Sequence, residues 1–280
     1  MLDIGRVRSA LRALDVRPTR AMGQNFLVDG QALAQIVGAG EVDTAPCVVE
    51  VGPGLGVLTW ELVQRAAHVV AVELDKRLIA RLRDEFRDAP NLTLVNQDIL
   101  RTDMAELTGR RPYHVVANLP YAITSPVLRH FLEATHPPEV MVVLVQREVA
   151  QRICALPGDM SVLAHAMQIR ASAELITIVP PQAFVPAPEV YSAVLRLRRR
   201  AVPLVPADAE PAVMRIIKAG FLHARKQLGN SLASGLAAHQ IAITREQAQA
   251  HLVAAGIDPV RRAETLTVAE WVALTHQLGF

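Results

Sequence analysis

The chain has 280 residues, 51% of them hydrophobic and 20% charged, enough apolar material to bury a full core as one large domain or two. Two distant cysteines, Cys47 and Cys154, exclude a disulfide framework, and nine scattered histidines without HxH or HxxxH spacing argue against a metal site. The net charge of +2 excludes no class of partner, although all but three of the 29 basic residues are arginine, a cation suited to phosphate and base contacts.

Residues 1–28 form a basic segment with Arg6, Arg8, Arg12, Arg17 and Arg20. It lacks an apolar signal core, and no apolar stretch is long enough to span a bilayer, so a soluble cytoplasmic chain is expected. Asp29 then reads as the N-cap of a helix with Leu33, Ile36 and Val37 on one face. From Cys47 onward, short apolar runs alternate with amphipathic ones. Strands are expected at 47–51, 68–73, 92–97, 114–118 and 140–146, with helices near 57–66, 76–86 and 125–134. Strands apolar on both faces and separated by helices predict an α/β fold with a mostly parallel, doubly wound, Rossmann-like sheet.

The pattern changes after residue 146. Helices at 147–156 and 161–171 lead into "ELITIVP" (174–180). A proline-rich loop follows, and "SAVLRLRRR" (192–200) alternates like an antiparallel strand that closes the sheet edge. Residues 203–211 read as a linker, and 212–280 show helical spacing throughout. The expected organisation is a ligand-binding catalytic domain at 29–202 and a small all-helical domain at 212–280.

"VVEVGPGLGVLT" (48–59) is a strand, a glycine turn and a helix start. Its spacing is not the G-x-G-x-x-G of dinucleotide sites, and Pro53 removes an N–H that a pyrophosphate would use. Glu73 ends the second strand, where a carboxylate can accept from both ribose hydroxyls. Asp98 ends the third and can accept from an adenine amine. Taken singly, each acid reads better as a cap or a solvated turn. Three successive strand tips bearing Gly, Glu and Asp point to an adenosine pocket without a phosphate cradle, hence S-adenosylmethionine.

The fourth tip, in "VVANLPYAIT" (115–124), carries Asn118, Leu119, Pro120 and Tyr121. An adenine amine is a poor nucleophile because its lone pair is delocalised into the ring. The Asn118 amide oxygen and the Leu119 carbonyl can accept both amine hydrogens, Pro120 fixes the carbonyl direction, and Tyr121 offers a face to a base taken out of its helix. The competing reading is a tight turn with a tyrosine in the core.

These motifs resemble the ribosomal RNA adenine dimethyltransferases that act on the small subunit. The matching runs include "GQNFL" (23–27), "EVGPGLGVLT" (50–59), "VELD" (72–75), "QDIL" (97–100) and "NLPYAITSPVL" (118–128). "PPQAFVPAPEVYSAVLRL" (180–197) and "RKQLGNSL" (225–232) continue the series. The resemblance implies a class I methyltransferase using S-adenosylmethionine, with Gln24, Asn25, Leu27, Gly52, Gly54, Glu73, Leu74, Asp98, Ile99 and Asn118 around the cofactor. It implies that Asn118 bridges cofactor and target amine, and that Phe184 stacks on the target base opposite Tyr121. Arg17, Arg20, Arg147, Arg225 and Lys226 would contact RNA.

The implied substrate is a pair of adjacent adenosines in the 3′-terminal hairpin of 16S rRNA, in a small-subunit precursor, met by a monomer without metal or membrane. Two departures stand out. Tyr191 occupies a position where the family usually has Asp, and the segment between Cys154 and Ser161 is short. The rival readings are a large-subunit methyltransferase of the antibiotic-resistance type, a non-catalytic assembly factor and, disfavoured by the glycine spacing, an NAD dehydrogenase.

Overall fold

A computed structural model describes residues 25–280, which fall into two compact units. Gln24, expected at the cofactor, and Arg17 and Arg20, expected at the RNA, lie outside these residues. The first unit takes the described residues up to Ala150 together with Ala173–Arg199, and the second takes Gln151–Ser172 together with Arg200–Phe280.

In the first unit, β1 (Phe26–Leu27) precedes α1 (Gly30–Ala39). The helix starts at Asp29 because that carboxylate accepts from the Ala32 N–H at 2.7 Å, satisfying a donor with no intrahelical partner. Then follow β2 (Val48–Val51), α2 (Val57–Arg65), β3 (Val69–Glu73), α3 (Lys76–Glu85), β4 (Leu92–Asn96), α4 (Met104–Leu107), β5 (His114–Asn118), α5 (Thr124–Leu132) and β6 (Val140–Gln146). Strands β7 (Ala171–Val179), β8 (Phe184–Val185) and β9 (Ser192–Arg199) complete the strand set.

The main sheet has the order β4-β3-β2-β5-β6-β9-β7. Strands β2 to β6 are parallel, and β9 runs antiparallel to β6, as the alternation at 192–200 predicts. Every residue of β2 and β3 is buried, which is why both read as continuous apolar runs with only Glu50 and Glu73 intruding. The order reverses between β3 and β5 on either side of β2. Open α/β sheets bind ligands at such a switch point, beyond the carboxyl ends of the strands.

Ile36, Val37, Leu62, Val116, Val142 and Phe184 share one buried cluster. Each contributes roughly 1.5–3 kcal/mol on burial, whereas exposed ion pairs such as Arg65–Asp43 are screened by solvent and add little. The core therefore holds this unit, and the surface pairs do not.

Three local features differ from the sequence expectation. Strand β4 stops at Asn96, because the Asn96 side chain donates to the Glu73 and Leu74 carbonyls and Asp98 instead caps a short 3₁₀ turn. The proline-rich segment contributes β8, which pairs antiparallel with β1 (Leu27 opposite Phe184). The run at 161–171 ends its helix early, at Gln168, and becomes β7.

The second unit contains α7 (Val162–Gln168), α8 (Glu210–Phe221), α9 (Leu228–Ala238), α10 (Arg245–Ala254) and α11 (Val268–Gln277). Residues 151–172 belong here, and the segment expected as a linker places Val205 in this unit's core beside Ile216, Leu232 and Trp271. Helices α8 and α9 approach so closely at Gly235 that a side chain there would strike the Ala219 carbonyl. Arg147–Ile153 forms one further helix, α6. Among the described residues no helix is long and apolar enough to cross a membrane.

Candidate active site

The register of the parallel strands brings three tips to one level. Val51 lies opposite Val72 and Ala117, so Gly52, Glu73 and Asn118 emerge together. The cleft they open is lined by Asn25, Phe26 and Leu27, by Glu50 and the 52–55 turn, by Glu73, and by Asn118 through Tyr121.

The floor is bare backbone. Gly52 and Gly54 have φ of 66° and 59°, a region that side chains rarely adopt, and a Cβ on Gly54 would sit 3.1 Å from the Phe26 ring. Glu73 is held by its own loop: Oε2 accepts from the Gly54 N–H at 3.2 Å and Oε1 from the Asp75 N–H at 2.9 Å. A carboxylate offers about four acceptor positions, so capacity remains for a ligand hydroxyl. Burial raises the Glu73 pKa, and the backbone N–H bonds oppose that.

Glu50 lies deeper and was not singled out from sequence, although an acid inside the run "VVEV" is a visible signal. It is fully buried and accepts from the Thr59 hydroxyl at 2.7 Å. Burial pushes its pKa up to about 8, with the Thr59 bond opposing and Glu73 adding to the rise. Near neutral pH Glu50 therefore holds its proton, and its role in the cleft is that of a buried neutral acid.

At the fourth tip, Asn118 Nδ2 donates to the Asn25 carbonyl at 2.9 Å. The Leu119 N–H donates to the Leu144 carbonyl at 3.3 Å and its side chain is buried. Pro120 opens a single 3₁₀ turn, Tyr121–Ile123, in which its carbonyl accepts from the Ile123 N–H at 3.1 Å. The half-buried Tyr121 shares a 2.7 Å hydrogen bond with the Ser192 hydroxyl, and burial raises the pKa of the phenol. Ser192 carried no signal of its own in the sequence. Its partner is 71 residues away.

Other expected residues stand apart from the cleft lining. Asp98 Oδ1 accepts from the Leu100 N–H at 3.0 Å, and Ile99 is buried. Leu74 is exposed just beyond β3. Phe184 is 3% exposed and packs in the core cluster with Leu27 and Ala183. In this structure its ring is a core side chain.

The expected RNA contacts divide. Arg225 and Lys226 are exposed in the turn before α9, whereas Arg147 lies over the Tyr191 ring. Of the arginine run ending β9, Arg198 pairs with Glu41 and Arg199 lies 3.9 Å from Glu139.

A family model described as ribosomal RNA adenine dimethylase matches residues 17–278. The chain is 41% identical over 272 residues to ribosomal RNA small subunit methyltransferase A of Dehalococcoides mccartyi, covering 97% of this chain and 92% of that protein. It is 45% identical to the protein of the same name from Desulfitobacterium hafniense, covering 92% and 91%. Among solved structures, 23S rRNA methyltransferase ErmE superposes with a TM-score of 0.71 at 30% identity, over 91% of this chain and 99% of that one. A dimethyladenosine transferase from Plasmodium falciparum superposes with a TM-score of 0.75 at 20% identity, over 89% and 95%, a likeness of fold.

Proposed function

Because the chain belongs to the ribosomal RNA adenine dimethylase family, we propose that it transfers methyl groups from S-adenosylmethionine to adenosine exocyclic amines in small-subunit rRNA, yielding dimethyladenosine. We extend the proposal to two adjacent adenosines in the 3′-terminal hairpin of 16S rRNA, within a small-subunit precursor, and to a cytoplasmic monomer. One observation carries the chemistry. Asn118 commits its amide nitrogen to the Asn25 carbonyl, which assigns its oxygen the role of acceptor, and Asn118 and Tyr121 both line the switch-point cleft.

The cleft fits the cofactor on its own chemistry. Glu73 offers acceptors to a ribose diol, and the glycine floor admits close approach. S-adenosylmethionine supplies an electrophilic methyl group on a positively charged sulfur. Asn25, Leu27 and Gly52 would line its methionine end. Leu74 and Ile99 would border its adenine, with Asp98 as the acceptor for the adenine amine.

The protein's own task is to prepare the nucleophile. Asn118 Oδ1 and the Leu119 carbonyl accept the two amine hydrogens, which localises the nitrogen lone pair and fixes its direction. Tyr121 supplies a stacking face, and its bond to Ser192 sets the orientation of the ring. No strong base is required, since the amine proton leaves to solvent after the methyl has arrived.

The large-subunit alternative shares this tip, but identity to ErmE is 30%, against 41–45% to the small-subunit proteins. A purely structural assembly factor has no need of the Asn118–Asn25 arrangement. The test is to incubate the protein with labelled cofactor and unmodified small or large ribosomal subunits, then map the methylated adenosines. Label on the large subunit alone, or on neither, overturns the proposal.

A further inference from the structure

Tyr191 immediately precedes β9 and is 46% exposed, a large share for an aromatic side chain. The Arg147 guanidinium carbon sits 5.4 Å from the centre of its ring. The Arg147 N–H also donates to the Tyr191 carbonyl at 2.9 Å, so backbone and side chain both tie the pair together. Arg147 Nε is buried and has no hydrogen-bond partner. A cation stacked on an aromatic face in this way is preorganised and still carries its full charge.

The pair lies on the same edge as the chemistry. In the sheet, Asn118 is opposite Leu144, and Gln146 is opposite Ser192. Arg147 and Tyr191 are the next step beyond that last rung. At about 3.3 Å per residue, Arg147 is roughly 10 Å along from the Asn118 level. Tyr191 immediately precedes Ser192, whose hydroxyl holds Tyr121 at 2.7 Å. The exposed ring is therefore coupled through one residue, Ser192, to the ring assigned to the target base.

Resting on the methyl-transfer reading above, we propose that Tyr191, backed by Arg147, is a second stacking platform that holds the base next to the target adenosine in the single-stranded rRNA segment. Tyr191 supplies the face, which accepts any base. Arg147 covers the opposite side of the ring and offers its N–H groups to the intervening phosphate. This site sets substrate capture and the register of the strand and takes no part in bond-making. An acid at position 191 would instead neutralise Arg147 and offer no ring.

The test is a set of full-length variants assayed on unmodified small ribosomal subunits. Tyr191→Ala removes the ring and is expected to raise the KM for the subunit about tenfold, the loss of one base stack, with kcat within about twofold. Tyr191→Asp, which suits an exposed position, serves as the second variant in case the first folds poorly, and is expected to raise KM at least as far. Tyr191→Phe keeps the face and is expected to restore the low KM. Unaltered KM in both Ala and Asp variants, or a fall in kcat without a rise in KM, overturns the platform. Failure of the parent protein to methylate small subunits is a different result and overturns the methyl-transfer reading itself.

Discussion

The Asn118 side-chain nitrogen donates to the main-chain carbonyl of Asn25 across 2.9 Å, joining the tip of β5 to the segment that enters β1. One amide thus links the mouth of the cleft to its acceptor. Asn118→Ala removes that acceptor and leaves Glu73 and the glycine floor intact. Single-turnover methyl transfer should fall on the order of a hundredfold, as for loss of a group used in the transition state, while cofactor affinity changes by less than about 1 kcal/mol. Rapid-quench measurement beside calorimetry checks both halves. The second transfer meets an amine with only one hydrogen left, so the ratio of mono- to dimethyladenosine should also shift in this variant.

Glu73 carries the ribose contact in the proposed complex. Glu73→Ala should weaken S-adenosylmethionine binding by about 1–3 kcal/mol, read by titration calorimetry, and NAD should give no heat with the parent. Equal affinity in parent and variant would remove the carboxylate from the ribose.

The strand tips were legible because β2, β3 and β5 are apolar runs that stop abruptly at Gly52, Glu73 and Asn118, and parallel pairing aligns those stops. The β1–β8 pair was not legible. Two residues on each side leave no periodicity, and the partners lie far apart in sequence. By its apolar run Asp98 reads as the end of a strand, but the Asn96 side chain and the Asp98 cap turn the chain first. Phe184 sits in a proline-rich loop that reads as exposed, and only the pairing of β8 with β1 buries it. Composition along the chain could not show that 151–172 joins the helical unit, because that grouping rests on contacts between segments distant in sequence.

Glu50 predicts a pH dependence. Its carboxyl has a pKa of about 8 in the fold, against 4.5 for an unburied glutamate, so the folded state holds a proton that the unfolded state releases. Stability from this group is complete below about 4.5, declines as pH rises and is gone above about 8. Glu50→Gln mimics the protonated form at every pH. The Tm of the parent, measured without cofactor, should fall relative to Glu50→Gln between about pH 5 and 8, then run parallel to it. A constant difference across that window would show that Glu50 does not titrate there.

In the helical unit, Arg225 and Lys226 are exposed just before α9. If both meet phosphates, reversing their charge should weaken rRNA binding and flatten its salt dependence by about one unit of slope per lost contact. The Arg198 and Arg199 side chains are engaged with Glu41 and Glu139, so reversing those should change the slope less. Filter binding across a salt series compares the two pairs, and an unchanged slope in the 225–226 variant removes that contact.

Phe184 tests packing against stacking. Its ring is buried beside Leu27, in the short sheet that also positions the cleft wall, so stacking on a target base would require it to leave the core. Phe184→Ala should cost about 3–5 kcal/mol of stability through the cavity it leaves, and lost activity there would decide nothing. Phe184→Leu is the informative change. It keeps most of the volume and should cost less than about 1.5 kcal/mol, while removing any aromatic face. If packing is the role, Phe184→Leu should methylate rRNA within a few-fold of the parent, and Tyr121→Ala should lose about 1–3 kcal/mol of substrate capture. A large loss of activity in a Phe184→Leu protein of normal Tm and cofactor affinity would instead mean that the 184–185 strand opens when RNA binds and delivers the ring to the base.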